Sequence, residues 1–225
     1  MLSLMQWMAL EEKRWVKATD AEKGKDYRCP ECEGTLHLRS GLARRPHFYH
    51  LAKSEGCRQA GKSEAHLEAQ LYLQRCLEGA LLEHRFPEVG RVADVMWPQK
   101  RVIFEVQCSP IEPEEALARN ADYAKCGFQV IWILHAHRYH AAQLKSVERA
   151  LLNYPHYYTN IDEHGAGMIF DRRWCLEAGQ RRWMGEGVEL EISQIVPQIP
   201  RWLGAVLPLR QRTEWPIYCA GDCSV

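Results

Sequence analysis

The chain has 225 residues, 46% hydrophobic and 26% charged, with 29 basic and 29 acidic side chains. That length suits one sizeable α/β domain plus a small accessory module, and the composition excludes a wholly disordered chain. The balanced charge does not advertise a nucleic-acid binder, no apolar run reaches the ~20 residues of a membrane span, and no basic stretch precedes the apolar N-terminus as in a signal peptide.

From the N-terminus, Met5 to Val16 can supply a short leading strand pair. Cys29-Pro30-Glu31-Cys32 then forms a tight C-x2-C knuckle, followed by a strand over Thr35 to Leu38, a turn at Ser40-Gly41, and a strand into Pro46-His47-Phe48-Tyr49-His50. Thiolate and imidazole are the preferred ligands of tetrahedral zinc. Cys29, Cys32, His47, His50 and Cys57 offer five such groups in a segment with few large apolar residues. The set Cys29, Cys32, His50 and Cys57, or His47 in place of Cys57, gives a closed structural site. The simpler alternatives are a redox pair or two core cysteines with structural histidines. Nine cysteines, an odd and scattered set, point to a reducing cytoplasm rather than a disulfide framework. Cys219 and Cys223 read as free thiols. Basic residues crowd the same N-terminal region: Arg39, Arg44, Arg45, Lys53, Arg58 and Lys62, against the single acid Glu55.

Ser63 is a good N-cap for a helix whose leucines at 67, 71, 73, 77 and 81 keep roughly helical spacing, to stop before Pro87. Val92 to Trp97, a turn at Pro98-Gln99-Lys100, and Arg101 to Ser109 read as an antiparallel pair. A second helix runs from about Glu114 to Cys126, closed by Gly127. Phe128 to Leu134 is apolar throughout, as expected of a strand buried on both faces. Strand, helix and buried strand make a βαβ unit, and another helix is expected over Ala141 to Leu152. Beyond Tyr154 the pattern weakens. Arginines interleaved with tryptophans (Arg172, Arg173, Trp174, Arg181, Arg182, Trp183, Arg201, Trp202, Arg210, Arg212) suit phosphate and base contact, or equally a solvated surface over core tryptophans.

The acids are the most informative. In the strand from Arg101, Val102, Phe104, Val106 and Cys108 share one face, and Glu105 and Gln107 lie on the other with Ile103. Asp94 stands in the preceding strand, within reach across a short hairpin. Two adjacent carboxylates repel unless a cation lies between them, and hard oxygen ligands with water suit Mg²⁺ or Mn²⁺. The alternative is that Asp94 faces solvent and Glu105 pairs with an arginine across the hairpin.

In order, Cys29-Pro-x-Cys32, Arg45-Pro-His47-Phe48-x-His50, Ser63-Glu64-x-His66, Ala93-Asp94-Val95, Glu105-x-Gln107-x-Ser109, Arg119-Asn120-x-x-Tyr123 and Val130-Ile131-Trp132-Ile133-Leu134 resemble the bacterial competence protein CoiA family. The resemblance covers a little under half the chain. It implies a restriction-endonuclease-like α/β fold of the PD-(D/E)XK nuclease superfamily: a mixed sheet flanked by helices, with a small zinc-binding module in front. The expected organisation is a zinc module over 1–61, a nuclease-like core over 62–154 and a basic, aromatic extension over 155–225. The resemblance makes Asp94 and Glu105 the catalytic, metal-binding carboxylates, with Glu64 as the acid on the preceding helix. Gln107 takes the place of the superfamily's usual lysine; it can orient water but cannot neutralise charge. Arg119, Asn120 and Tyr123 either hold phosphate or buttress the sheet, and Arg44 and Arg45 are candidate DNA contacts. The function expected is Mg²⁺-dependent DNA cleavage in processing or recombination such as natural transformation; the alternative is a DNA-binding recombination accessory that does not cut. Single-stranded or branched DNA is the expected partner, together with recombination proteins, in the cytoplasm.

Overall fold

The computed structural model describes residues 5–12, 14–42, 44–52, 57, 62–194 and 217–218. Six strands open the chain: β1 (Met5–Gln6), β2 (Met8–Glu11), β3 (Arg14–Lys17), β4 (Tyr27–Arg28), β5 (Thr35–Gly41) and β6 (Arg44–His50). They form one antiparallel sheet in the order β1-β6-β5-β4-β2-β3. Its own apolar core is small, built on Ala9, Val16, Tyr27, Leu36 and Phe48, with the Tyr27 and Phe48 rings 4.9 Å apart.

The Ser63 hydroxyl accepts from the His66 amide at 3.2 Å and starts α1 (Glu64–Cys76). This helix serves two cores: Leu67 packs into the N-terminal cluster, Ala69 and Leu73 into the main one. The helix expected to continue toward Pro87 ends at Cys76. Gly79, at φ +73°, takes the chain out of helical geometry, and Leu81 begins a strand, β7 (Leu81–Phe86). Leucines at 77 and 81, four apart, had extended the apparent helical stripe across this break.

The hairpin follows as β8 (Arg91–Trp97) and β9 (Val102–Gln107), joined by a 3-10 turn at Pro98–Lys100 with Arg101 left-handed at φ +53°. Next, α2 (Pro113–Lys125) has proline at its first position and Gly127, at φ +79°, just after its end. The remaining elements are β10 (Gln129–His135), α3 (Ala136–Tyr139), α4 (Ser146–Ala150), β11 (His156–Thr159), β12 (Ile169–Asp171), β13 (Trp174–Glu177), β14 (Gln180–Trp183), β15 (Val188–Glu189) and β16 (Ile217–Tyr218). A seven-stranded sheet runs β15-β12-β11-β10-β9-β8-β7, parallel at β9-β10 and β10-β11 and antiparallel elsewhere. Strands β13, β14 and β16 make a small third sheet. The expected mixed α/β sheet with flanking helices is thus present. It does not stop at residue 154, because β11, β12 and β15 extend it.

The helix expected over Ala141–Leu152 is replaced by the short α3 and α4. Arg181 of β14 binds the stretch between them. Its guanidinium donates to the carbonyls of Tyr139 and Ala141, and its amide donates to that of Ala142. The Arg181 side chain is fully buried, 2.6 Å from the equally buried Glu148 and 2.8 Å from the Tyr158 hydroxyl, with the Trp174 and Trp183 rings 4.6 and 4.8 Å from its centre. At this position the arginine-tryptophan pattern builds core. Arg201, Trp202, Arg210, Arg212, Cys219 and Cys223 lie outside the described residues. Among those described, no helix is long and apolar enough to cross a membrane.

Removing one partner of a buried ion pair strands the other charge, at about 3–5 kcal/mol. Arg181→Ala is therefore expected to lose about that much stability in urea unfolding, whereas Arg182→Ala, whose arginine is exposed beside Glu177, changes the midpoint little.

Candidate functional site

Two clusters of chemistry-bearing residues emerge. The first is the N-terminal cysteine-histidine group. Cys29 and Cys32 flank a tight turn after β4, His50 ends β6, and Cys57 folds back beside them. One ligand atom from each of the four lies within 4.8 Å of the others. Cys29 Sγ and Cys57 Sγ are 3.7 Å apart, and His50 Nε2 is 3.2 Å from Cys32 Sγ and 3.7 Å from Cys57 Sγ. Tetrahedral zinc with ~2.3 Å bonds to sulfur has S···S edges of ~3.8 Å, so both donor set and spacing fit zinc. Burial lowers the His50 pKa and favours the neutral, ligating imidazole. His47 is not part of the group. An H-x2-H spacing within a strand puts the two rings on opposite faces, and His47 Nδ1 instead meets the Arg45 carbonyl at 2.9 Å.

The second cluster surrounds Asp94. Leu82↔Val95 and His84↔Ala93 bracket Glu83 opposite Asp94, and Glu105 is one step beyond Val95↔Phe104. Three carboxylates thus stand in a row across β7, β8 and β9. Asp94 is 5% exposed and Glu105 not at all, so each needs compensation. Asp94 Oδ1 accepts from Lys62 Nζ at 3.0 Å, His66 Nε2 at 3.1 Å and Gln70 Nε2 at 2.8 Å; Oδ2 accepts from the Val106 amide at 2.9 Å. Lys62 also donates to Glu83 Oε1 at 2.9 Å. Glu83 has a left-handed backbone, φ +50°, costing about 1–2 kcal/mol in a residue with a side chain. Glu105 accepts from Arg119 Nη1 at 2.6 Å and from the Tyr123 hydroxyl at 2.8 Å.

Neither half of the simpler expectation is met as stated. Asp94 is buried, not solvated, and the arginine on Glu105 comes from α2, not from across the hairpin. The cations separating the carboxylates are the protein's own. Burial by itself would raise the Asp94 carboxyl, but His66 and Lys62 outweigh it and hold it well below the usual carboxylate range. For Glu105 burial prevails; Arg119 opposes it, while the Asp94 charge adds to the rise.

A cavity of about 340 Å³ opens beside this row, lined by Lys62, His66, Arg91, Asp94, Gln107 and Arg119 among others. Gln107 lies at its wall, its amide donating to the Ser109 carbonyl and hydroxyl at 2.7 and 3.1 Å. Arg119 is 26% exposed and shared with Glu115. Asn120 and Tyr123 are buried: Asn120 Oδ1 accepts from Trp132 Nε1 at 3.0 Å, and Tyr123 holds Glu105. Both buttress the sheet.

Glu64 is elsewhere. At ~100° per residue, positions 64 and 66 of a helix point apart, while 66 and 70 share a face. His66 and Gln70 therefore reach Asp94, whereas Glu64 and Glu68 line a separate 410 Å³ cleft with Arg45 and His47. Arg45, half exposed, pairs with the buried Glu68 at 2.8 Å. Arg44 stands on β6, and its side chain lies outside the described residues. Lys62, His66, Gln70 and Glu83 were not singled out from sequence as site residues. The available signal was the i, i+4 pair His66 and Gln70 facing the first acid-bearing strand.

The pattern described as "Competence protein CoiA, N-terminal domain" matches residues 10–59, and "Competence protein CoiA, nuclease-like domain" matches 62–162. The chain belongs to the competence protein CoiA family. The boundary between the two matches falls between β6 and α1, where the N-terminal sheet gives way to the main fold. No curated protein and no solved structure matches the chain.

Purified CoiA-family protein of this sequence is expected to carry about one equivalent of zinc by elemental analysis. Cys57→Ser should lose it and His47→Ala should keep it; the reverse pattern would reassign the fourth ligand. The depressed Asp94 pKa sets a pH dependence. Its stabilisation is fully present above the unfolded carboxylate value of ~3.9 and is lost as pH falls toward the lower folded value. The stability gap between wild type and Asp94→Asn should be widest near neutrality and narrow below pH ~4, as read by thermal melting across pH.

Proposed function

We propose that this CoiA-family chain is a metal-dependent deoxyribonuclease acting in DNA processing or recombination, with zinc as a structural ion and single-stranded or branched DNA as substrate in the cytoplasm. The observation that carries the reading is the placement of Asp94 at the wall of the 340 Å³ cavity, one strand from Glu105, with Gln107 and three basic side chains around it. Among the described residues, Asp94 Oδ2 accepts one hydrogen bond, from Val106, which leaves a lone pair for a divalent cation. Asp94, with Glu105 once released by Arg119, would hold Mg²⁺ or Mn²⁺, which would supply Lewis-acid activation of the phosphate and of the attacking water. Gln107 orients that water. The water oxygen bonds to phosphorus, the bond from phosphorus to the leaving sugar oxygen breaks, the leaving oxygen takes a proton from solvent and the water's proton returns to solvent. Arg45 and Arg44, on the strand beside the zinc group, serve as phosphate contacts.

A second reading, a non-cleaving DNA-binding recombination accessory, draws on one observation. Lys62, His66, Gln70, Arg119 and Tyr123 already occupy much of the hydrogen-bonding capacity of Asp94 and Glu105. Cleavage of labelled single-stranded, duplex and branched DNA with Mg²⁺, Mn²⁺ or EDTA separates the two. On the nuclease reading, cleavage requires the metal, and Glu105→Gln lowers it at least ~10²-fold while the folded state persists. Metal-independent cutting, or full activity in Glu105→Gln, removes these residues from the chemistry. Salt-sensitive DNA binding with no cutting under any condition establishes the accessory reading.

A further inference from the structure

Cleaving a phosphodiester adds negative charge at phosphorus in the transition state, and fixed positive charge beside it lowers the barrier. Gln107 carries none: its side-chain nitrogen is committed to Ser109, and its oxygen can orient water but not neutralise charge. Three cations line the cavity. Arg91 is held by Glu115 and Asp122, at 2.7 and 2.9 Å, and Arg119 by Glu105 and Glu115. Lys62 differs in chemistry and in place. It precedes α1, its side chain is 10% exposed, and it sits on the Asp94 oxygen that also takes His66 and Gln70. An ammonium has three N–H donors; among the described residues, Glu83 and Asp94 take two of them.

Building on the nuclease reading, we infer that Lys62 is the residue that brings positive charge to the reacting phosphate, entering from the segment before α1 instead of from position 107 of the metal-bearing strand. Glu83 is its positioning residue. The left-handed backbone at Glu83 keeps the carboxylate opposite Asp94, and the ammonium is suspended between the two. A divalent cation on Asp94 Oδ2 would draw on the same carboxylate charge and loosen the hold of Oδ1 on Lys62, freeing its donors for a phosphate oxygen.

The test keeps the buried charge in balance. Lys62→Gln alone leaves Glu83 and Asp94 facing each other, so the working variant is Lys62→Gln with Glu83→Gln, which removes one charge of each sign. In a background of wild-type cleavage, this double variant should lose about 10²-fold in kcat, with metal-free DNA affinity measured by anisotropy in EDTA kept within about threefold. Adding Gln107→Lys supplies an ammonium from the opposite side and should recover at least ~10-fold. A double variant that cuts at the wild-type rate overturns the inference and leaves the nuclease reading standing. Loss without recovery on Gln107→Lys also overturns it and makes Lys62 a structural partner of Asp94. A wild-type protein that never cuts fails the nuclease reading itself, and the role of Lys62 falls with it.

Discussion

Burying the Asp94 carboxylate between α1 and the sheet costs several kcal/mol unless its oxygens are met, and the chain around it is arranged to meet them. The donors come from separate places: Lys62 ahead of α1, His66 and Gln70 on successive turns of α1, and the backbone of Val106 in β9. All four reach one carboxylate only if α1 docks at one height and rotation and β8 keeps its register against β9. The apolar packing of α1 against both cores supplies the driving force. Leu67, Ala69 and Leu73 would tolerate a slide of the helix better than a buried charge does. The polar hub gains little net stability over an apolar replacement; its contribution is a defined geometry beside the cavity.

The N-terminal sheet is bound into the same framework. Trp7 Nε1 donates to Gln70 Oε1 at 3.1 Å, and the other end of that amide holds Asp94. Gln6, next to Trp7, takes the Cys29 thiol through its side-chain oxygen at 3.5 Å. Glu31, inside the C-x2-C turn, meets Arg85 of β7 at 3.4 Å. The cysteine-histidine group therefore fixes more than its own loops. A sheet with so small an apolar core needs a further constraint to hold its shape, and a closed tetrahedral ion held by the Cys3His group would supply one.

Which parts were legible in the sequence follows from range. The β8–β9 hairpin, α2 with its flanking proline and glycine, and the apolar β10 declare themselves through local periodicity and local backbone chemistry. The cysteine-histidine set was legible because ligand chemistry is specific, although the excess ligand, His47, could be set aside only once β6 was known to be extended through residue 47. What failed depends on contacts between distant segments. The segment expected as a helix over Ala141–Leu152 is bound at its start by Arg181, some 40 residues away in sequence. β7 was hidden because Leu77 and Leu81 fit a helical spacing across the break at Gly79. Glu64 drew attention as an acid at a helix start, but the rotation of α1 turns His66 and Gln70 to Asp94. Lys62 and Glu83 had no local signal: one is a lysine before a helix cap, the other an acid in a strand whose existence was missed.

The electrostatics of the cavity bear on what it can receive. Each cation on its wall is already shared with carboxylates: Lys62 with Glu83 and Asp94, Arg91 with Glu115 and Asp122, Arg119 with Glu105 and Glu115. The wall itself carries three acids, Asp94, Glu112 and Glu115, and three bases, Lys62, Arg91 and Arg119, with His66 beside them. Bases committed to carboxylates in this way have little charge left for a DNA backbone. On the proposed nuclease reading, a divalent cation would neutralise Asp94 and Glu105 and relax the hold of the carboxylates on Lys62 and Arg119. Metal and phosphate would then be mutually supporting occupants, each lowering the cost of the other. The committed cations of this wall thus suit the proposed site, in which a bound metal would release them toward phosphate, better than one that relies on them alone.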